Sequence, residues 1–171
     1  MSSDPDRFDQ VDRIQAEWQR ERPDLDLGPH GVIGRLLRLS GIQADQFELL
    51  YKRFGLNSGE FAVLAALRRA GAPFERAPGE LATSTMVTTG GMTKRIDSLE
   101  RGGLVVRRPA TRDGRGRIVV LTPAGRDLID RVFAEHVRLE HRFVDSLKSA
   151  QVARLEELLA AWLAAIEPRQ G

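Results

Sequence analysis

With 171 residues, 42% of them hydrophobic, the chain is long enough to bury an apolar core, and its 26 Lys and Arg nearly balance 24 Asp and Glu for a net charge of +2. That balance excludes a surface that attracts polyanions everywhere, and the absence of cysteine excludes disulfides, thiolate chemistry and Cys-based zinc sites. Met1 to Asp12 is polar and acidic, unlike a signal peptide, and no run approaches the ~20 apolar residues of a membrane span, so a cytoplasmic protein with no membrane partner is expected.

Asp4 followed by Pro5 predicts a capped helix over 4–22, with Phe8, Val11, Ile14 and Trp18 at helical spacing and Pro23 as its stop. Arg22 to Gly31 holds two prolines and two glycines and reads as a loop. A second helix over 32–54 carries Ile33, Leu36, Leu37, Leu39, Phe47, Leu50 and Phe54 and ends at Gly55, with Ser40 and Gly41 offering a place to bend. Asn57 and Glu60 have the spacing of a capping box, and Phe61, Leu64 and Leu67 give the next helix a buried face.

From Pro78 the pattern becomes two short helices around a tight turn. Leu81, Ala82, Met86 and Val87 supply the inner face of the first, Met92, Ile96 and Leu99 that of the second, and Gly102 and Gly103 close it. The β-prone runs Val105 to Arg108 and Arg117 to Leu121 flank the Gly- and Arg-rich stretch Pro109 to Gly116, which predicts an antiparallel hairpin. Thr122 and Pro123 then cap a long helix with Leu128, Val132, Leu139, Phe143 and Leu147 inward, and a last helix after Ser149 carries Leu155, Leu158, Trp162 and Ile166.

Charge is concentrated in one place: Arg107, Arg108, Arg112, Arg115 and Arg117 face a single acid, Asp113. Mutual repulsion on so short a ribbon calls for an anionic partner. The helix before it begins with Thr88, Thr89, Gly90, Gly91, Thr93, Lys94 and Arg95, short polar and basic side chains of the kind that read base edges in a major groove. Gly90 and Gly91 weaken the helix by up to ~1 kcal/mol each relative to Ala, a cost that makes sense where backbone must approach DNA. The expected partner is double-stranded DNA, contacted by Thr88, Thr89, Gly91, Thr93, Lys94 and Arg95 in the major groove and by Arg112 and Arg115 from the ribbon, with Arg115 aimed at the minor groove.

A lone chain with these end helices would expose Phe8, Val11, Phe143, Leu147, Leu155, Trp162 and Ile166, which predicts a homodimer and a near-palindromic DNA site. No P-loop, dinucleotide motif, zincin pair or nucleophile elbow is present, so no catalytic residue, metal or cofactor is expected. His30, His136 and His141 are too dispersed to argue a metal site and read as polar packing or interface groups.

Gly79-Glu80-Leu81-Ala82, the run Met92 to Gly103 followed by Leu104-Val105, and Leu121-Thr122-Pro123-Ala124-Gly125 resemble the MarR family of bacterial regulators over Leu36 to Glu167. The resemblance implies a mainly α winged helix-turn-helix fold with a small β-hairpin wing, in which the N- and C-terminal helices form the dimerisation region. It divides the chain into 1–54 (an added helix 4–22 and a dimerisation helix 32–54), 55–122 (the DNA-binding region) and 123–171 (the C-terminal dimerisation helices), one intertwined domain. The family's wing carries an Asp-x-Arg-Asp-x-Arg pattern, and here Ala110, Arg112, Asp113 and Arg115 stand at those positions. The added helix with Trp18 is similar to the urate-responsive branch, whose Trp, Asp and two Arg ligand positions correspond to Trp18, Ala62, Arg95 and Arg107; three agree, and Ala62 stands where the branch has its acid. That likeness implies a repressor released from DNA by a small anionic or phenolic ligand held by Trp18, Arg95 and Arg107. The alternative is a constitutive DNA-binding or architectural protein with no ligand.

Overall fold

The computed structural model describes residues 8–85, 89–110 and 116–167. Its contacts divide the chain into two units, Met1–Gln46 and Phe47–Gly171, which are taken in turn.

In the first unit, α1 spans Gln10–Glu21 and α2 begins at Gly28 and runs on to Lys52. Asp9 caps α1: its Oδ1 accepts from the backbone of Val11 (2.7 Å) and Asp12 (3.1 Å), while Asp12 Oδ2 accepts from Asp9 N (3.0 Å); Asp4 and Pro5, the expected cap, lie outside the described residues. The acid three residues on from Asp9 completes a reciprocal box. The loop expected over Arg22 to Gly31 shortens accordingly, with Asp26 Oδ1 receiving the Gly28 amide at 2.9 Å as α2 begins. The helix then continues unbroken through Ser40 and Gly41.

Val11 is the residue of the α1 stripe that is buried, at 4% exposure, which corrects its expected place on an open apolar face. It sits against Gly34 of α2, where an added Cβ would lie 2.9 Å from Val11 Cγ1. Arg35 completes the joint, pairing with Asp9 at 2.9 Å and Asp12 at 2.7 Å. The Arg35 bond holds the Asp12 carboxyl below its usual range. Phe8, Ile14, Trp18, Val32, Ile33, Leu37, Leu39 and Ile42 remain exposed on this unit.

The second unit holds the last turns of α2, then α3 (Ser58–Arg69), β1 (Glu75–Arg76), α4 (Pro78–Ser84), α5 (Thr89–Arg101), β2 (Val105–Pro109), β3 (Arg117–Leu121), α6 (Pro123–Val144) and α7 (Ser149–Ile166). The Asn57 and Glu60 capping box forms as expected, with bonds of 2.9 and 3.0 Å. Leu64 and Leu67 of α3, Leu81 of α4, Met92, Ile96 and Leu99 of α5, Val105 and Val119 of the hairpin, and Ile129 and Val132 of α6 form one buried cluster.

The sheet has three antiparallel strands in the order β1-β3-β2, one more than the expected hairpin. Glu75 pairs with Val120 and Arg76 with Val119, so a two-residue strand closes one edge of β3. At the other end of the hairpin, Gly103 adopts a left-handed φ of 69° and Leu104 N bonds to Leu99 O at 2.9 Å, a Schellman ending that turns α5 into β2. Thr122 Oγ1 accepts from Gly125 N (3.0 Å) and donates to Gly103 O (2.8 Å), seating the start of α6 on that turn. Helix α7 buries none of its residues within the chain.

Candidate nucleic-acid interface

Helix α5 is amphipathic in the way its sequence requires. Met92, Ile96 and Leu99 are at most 2% exposed, whereas Thr93 and Lys94 are exposed. At ~100° per residue, Lys94 lies nearly opposite the centre of the buried stripe. The inner face is fully packed, so the helix is held while its polar side stays open. Thr89 starts the helix and Gly91 is half-buried in its first turn. Thr88, Arg112 and Arg115 lie outside the described residues.

Arg95 points back to α3. A Cβ on Gly59 would lie 1.8 Å from Arg95 Nε and 2.6 Å from Cζ, so glycine at that position is what admits the guanidinium beside the first turn of α3. Nη1 of Arg95 is buried and, among the described residues, has no hydrogen-bond partner. A guanidinium donor left unpaired away from water carries a cost that an anion would relieve.

Arg107 is placed differently. Its backbone N–H donates to Glu100 Oε1 at 2.9 Å, and its guanidinium pairs with Glu100 and Asp97 of α5. Burial opposes its charge, yet the bonds to Asp97 and Glu100 outweigh burial and hold its pKa above the usual arginine value. Asp97 and Glu100 are two and five residues beyond Arg95, about 200° and 140° further round the helix. Arg95 and Arg107 therefore flank opposite sides of α5 and are not brought together, contrary to their expected sharing of one ligand. Trp18 belongs to the other unit, where it is 51% exposed. Ala62 is half-buried on α3.

The sequence reading missed Asp97 and Glu100 as partners of Arg107; acids three apart on a helix otherwise rich in cations were the available signal. His136 packs among aromatic rings: its Nδ1 is 2.9 Å from Tyr51 Oη, and its ring lies 4.4 Å from Phe47 and 5.0 Å from Phe61. Burial, ahead of the nearby Glu140 and Glu48 charges, pushes the Tyr51 hydroxyl far above its usual pKa. The reading of His136 as a polar packing group agrees with these contacts. A cavity of about 410 Å³ between α3 and α6 is lined by Ala65, Arg68, Arg69, Ile129, Asp130 and Phe133, and no residue expected to hold a ligand is among them.

Comparison with known proteins fixes the class of this site. A family model described as the MarR family matches residues 54–116, from just after α2 to the residue before β3. The HTH-type transcriptional regulator PecS of Dickeya dadantii is 35% identical over 153 residues, covering 90% of this chain and 92% of PecS. The chain belongs to the MarR family. It is a DNA-binding transcriptional regulator, not an enzyme, with the family's winged helix-turn-helix fold. The MarR-family fold is shared with Sco3205 of Streptomyces coelicolor, solved in complex with DNA (TM-score 0.75, 21% identity, 86% of this chain and 92% of that one). A mutant MarR from E. coli complexed with operator DNA is similar at TM-score 0.67 and 25% identity over 85% of this chain and 97% of that one. In this winged helix-turn-helix fold the hairpin of β2 and β3 is the wing, and α5 is the second helix of the helix-turn-helix. Among the described residues no helix is long and apolar enough to cross a membrane.

Proposed function

We propose that the protein is a homodimeric repressor that reads a palindromic operator with α5 and the wing, in the cytoplasm, and is released by a small anionic or phenolic ligand. The observation that carries DNA reading is the outward face of α5, where Thr93 and Lys94 are exposed above a fully buried Met92, Ile96 and Leu99. The relative from E. coli, 25% identical, is named as bound to operator DNA, which supports the same use here. Thr88, Thr89, Gly91, Thr93 and Lys94 meet the major groove in this reading, and Arg112 and Arg115 extend the contact from the wing.

Homodimerisation is supported by helices that leave apolar residues uncovered: Leu155, Leu158, Leu159, Leu163 and Ile166 on α7 are exposed, as are Leu37 and Leu39 on α2. For the ligand, the buried Nη1 of Arg95 without a partner favours a carboxylate or phenolate as the anchor group. Trp18 and Arg107 are the other two positions that the family likeness offers. An anion on Arg95 strains its seat on Gly59 and tilts the helix that carries it, so DNA and ligand oppose each other reciprocally.

The opposed placement of Arg95 and Arg107 favours a second reading, a MarR-family DNA binder that responds to no ligand. Titrating the DNA complex of the full chain with urate, xanthine, aconitate and salicylate separates the two. Release by at least one anion, abolished by Arg95→Ala, supports the ligand reading. Binding unchanged by all four supports the second.

A further inference from the structure

The wing of a winged helix is useful only if it meets DNA at a fixed angle to the recognition helix. Here the covalent link between them is the turn at Gly102 and Gly103, with Gly103 in the left-handed region. The base of the hairpin is pinned by buried Val105, Val119 and Leu121. Further out, Arg108, Pro109 and Ala110 on one strand, and Gly116 and Arg117 opposite, are exposed, with Arg108 paired to Glu75 of β1 and so tied to the sheet but not to α5. Between the pinned base and this exposed stretch stands Arg107.

Its contacts have three parts. The strand β2 lies at the edge of the sheet, paired with β3 alone in the order β1-β3-β2, and the Arg107 amide on its open side is taken by Glu100 Oε1 at 2.9 Å. The guanidinium, whose side chain is 22% exposed, bonds to Glu100 and to Asp97. Those acids are three residues apart and share one face of α5, so one planar fork reaches both. Charge-assisted bonds from a half-buried arginine are stronger and more directional than an exposed ion pair. The same bonds offset one of the two carboxylate charges on the helix that presents Thr93 and Lys94.

We propose that Arg107 is a positioning residue: held by Asp97 and Glu100, it locks the outer wing to the recognition helix, so that both touch DNA as one rigid body. This rests on the DNA-reading function proposed above and gives Arg107 a role toward the protein's own acids.

The test uses the full chain and a duplex that the wild-type protein selects from a random pool, with hydroxyl-radical footprinting and affinity measured for Arg107→Ala, Arg107→Lys and the double variant Asp97→Ala/Glu100→Ala. Both alanine variants should bind on the order of tenfold more weakly, keep protection where α5 sits, and lose protection at the flanks where the wing reaches. Their salt dependence should become shallower by about one unit of log–log slope for each phosphate contact released. Arg107→Lys should restore part of the flanking protection. The acid double variant is decisive because an Arg107 that touched DNA directly would be freed by it and bind more tightly. Flanking protection retained in that variant overturns the proposal, and so does loss of central and flanking protection together. A wild-type chain that selects no duplex at low salt instead refutes DNA reading itself.

Discussion

Gly125 of α6 offers the sharpest test of how the wing is seated. In its Ala variant the new Cβ would lie 2.1 Å from the Leu104 carbonyl oxygen, 3.0 Å from its carbon and 2.9 Å from Leu121 Cδ1. The first two are backbone atoms at the turn where Thr122 and Gly103 are bonded, so no side chain can swing aside. Overpacking of this kind costs typically 1–3 kcal/mol and sometimes more. Helix propensity works the other way, because Ala is better than Gly inside a helix by ~1 kcal/mol. A carbon at 2.1 Å from a fixed oxygen puts the strain at the upper end of its range, leaving a net loss of about 2 kcal/mol. For a chain of this length that lowers Tm by roughly 4–8 °C. Calorimetry or a circular dichroism melt of the Gly125→Ala protein reads it. A Tm equal to or above wild type is what propensity alone would give, and it would refute the close seating of α6 on the α5–β2 turn.

Other consequences follow from single contacts. Tyr51→Phe removes the hydroxyl 2.9 Å from His136 Nδ1 and should destabilise by about 1 kcal/mol in a denaturant melt, whereas His136→Phe in the same background should recover part of it by removing the unpaired nitrogen. Asp12 has its pKa lowered by Arg35, so its contribution to docking α1 on α2 is complete above the unfolded value of about 3.8 and lost as pH falls through the lower folded value. Hydrogen exchange of α1 amides should accelerate in that acid window, and Arg35→Ala should abolish the pH dependence. Lys94→Ala should alter sequence preference in a duplex selection, while Arg115→Ala should weaken binding to all duplexes alike.

Much of the fold is visible in local chemistry. Asn57 with Glu60 and Thr122 with Pro123 announce helix starts because a side-chain acceptor or a fixed φ is needed there, and Gly103 marks a stop because the left-handed turn favours a residue without Cβ. The buried faces of α3 and α5 follow from helical spacing for the same reason of geometry. The start of α1 at Gln10 is not legible locally, because Asp4 before Pro5 satisfies the capping rule as Asp9 does, and the support Arg35 gives to Asp9 and Asp12 comes from another helix. Strand β1 escaped notice because two residues carry no period, and their pairing with Val119 and Val120 is non-local. Trp18, Arg95 and Arg107 were grouped by family likeness alone. Which side of α5 each arginine occupies depends on Gly59 below one and Asp97 with Glu100 beside the other, contacts that no local pattern carries. Val11 looked like its neighbours in the α1 stripe, and its burial depends on Gly34 in another helix.

Two copies of α5 are expected to read one duplex together. Hydroxyl-radical and methylation footprinting of the full chain on its selected duplex, with the mass of the complex measured in the same buffer, addresses it directly. Two copies per duplex and two protected major-groove segments about 34 Å apart, one turn of DNA, are the expected result. A single protected segment from one copy, or protection that does not include the major groove, would contradict it.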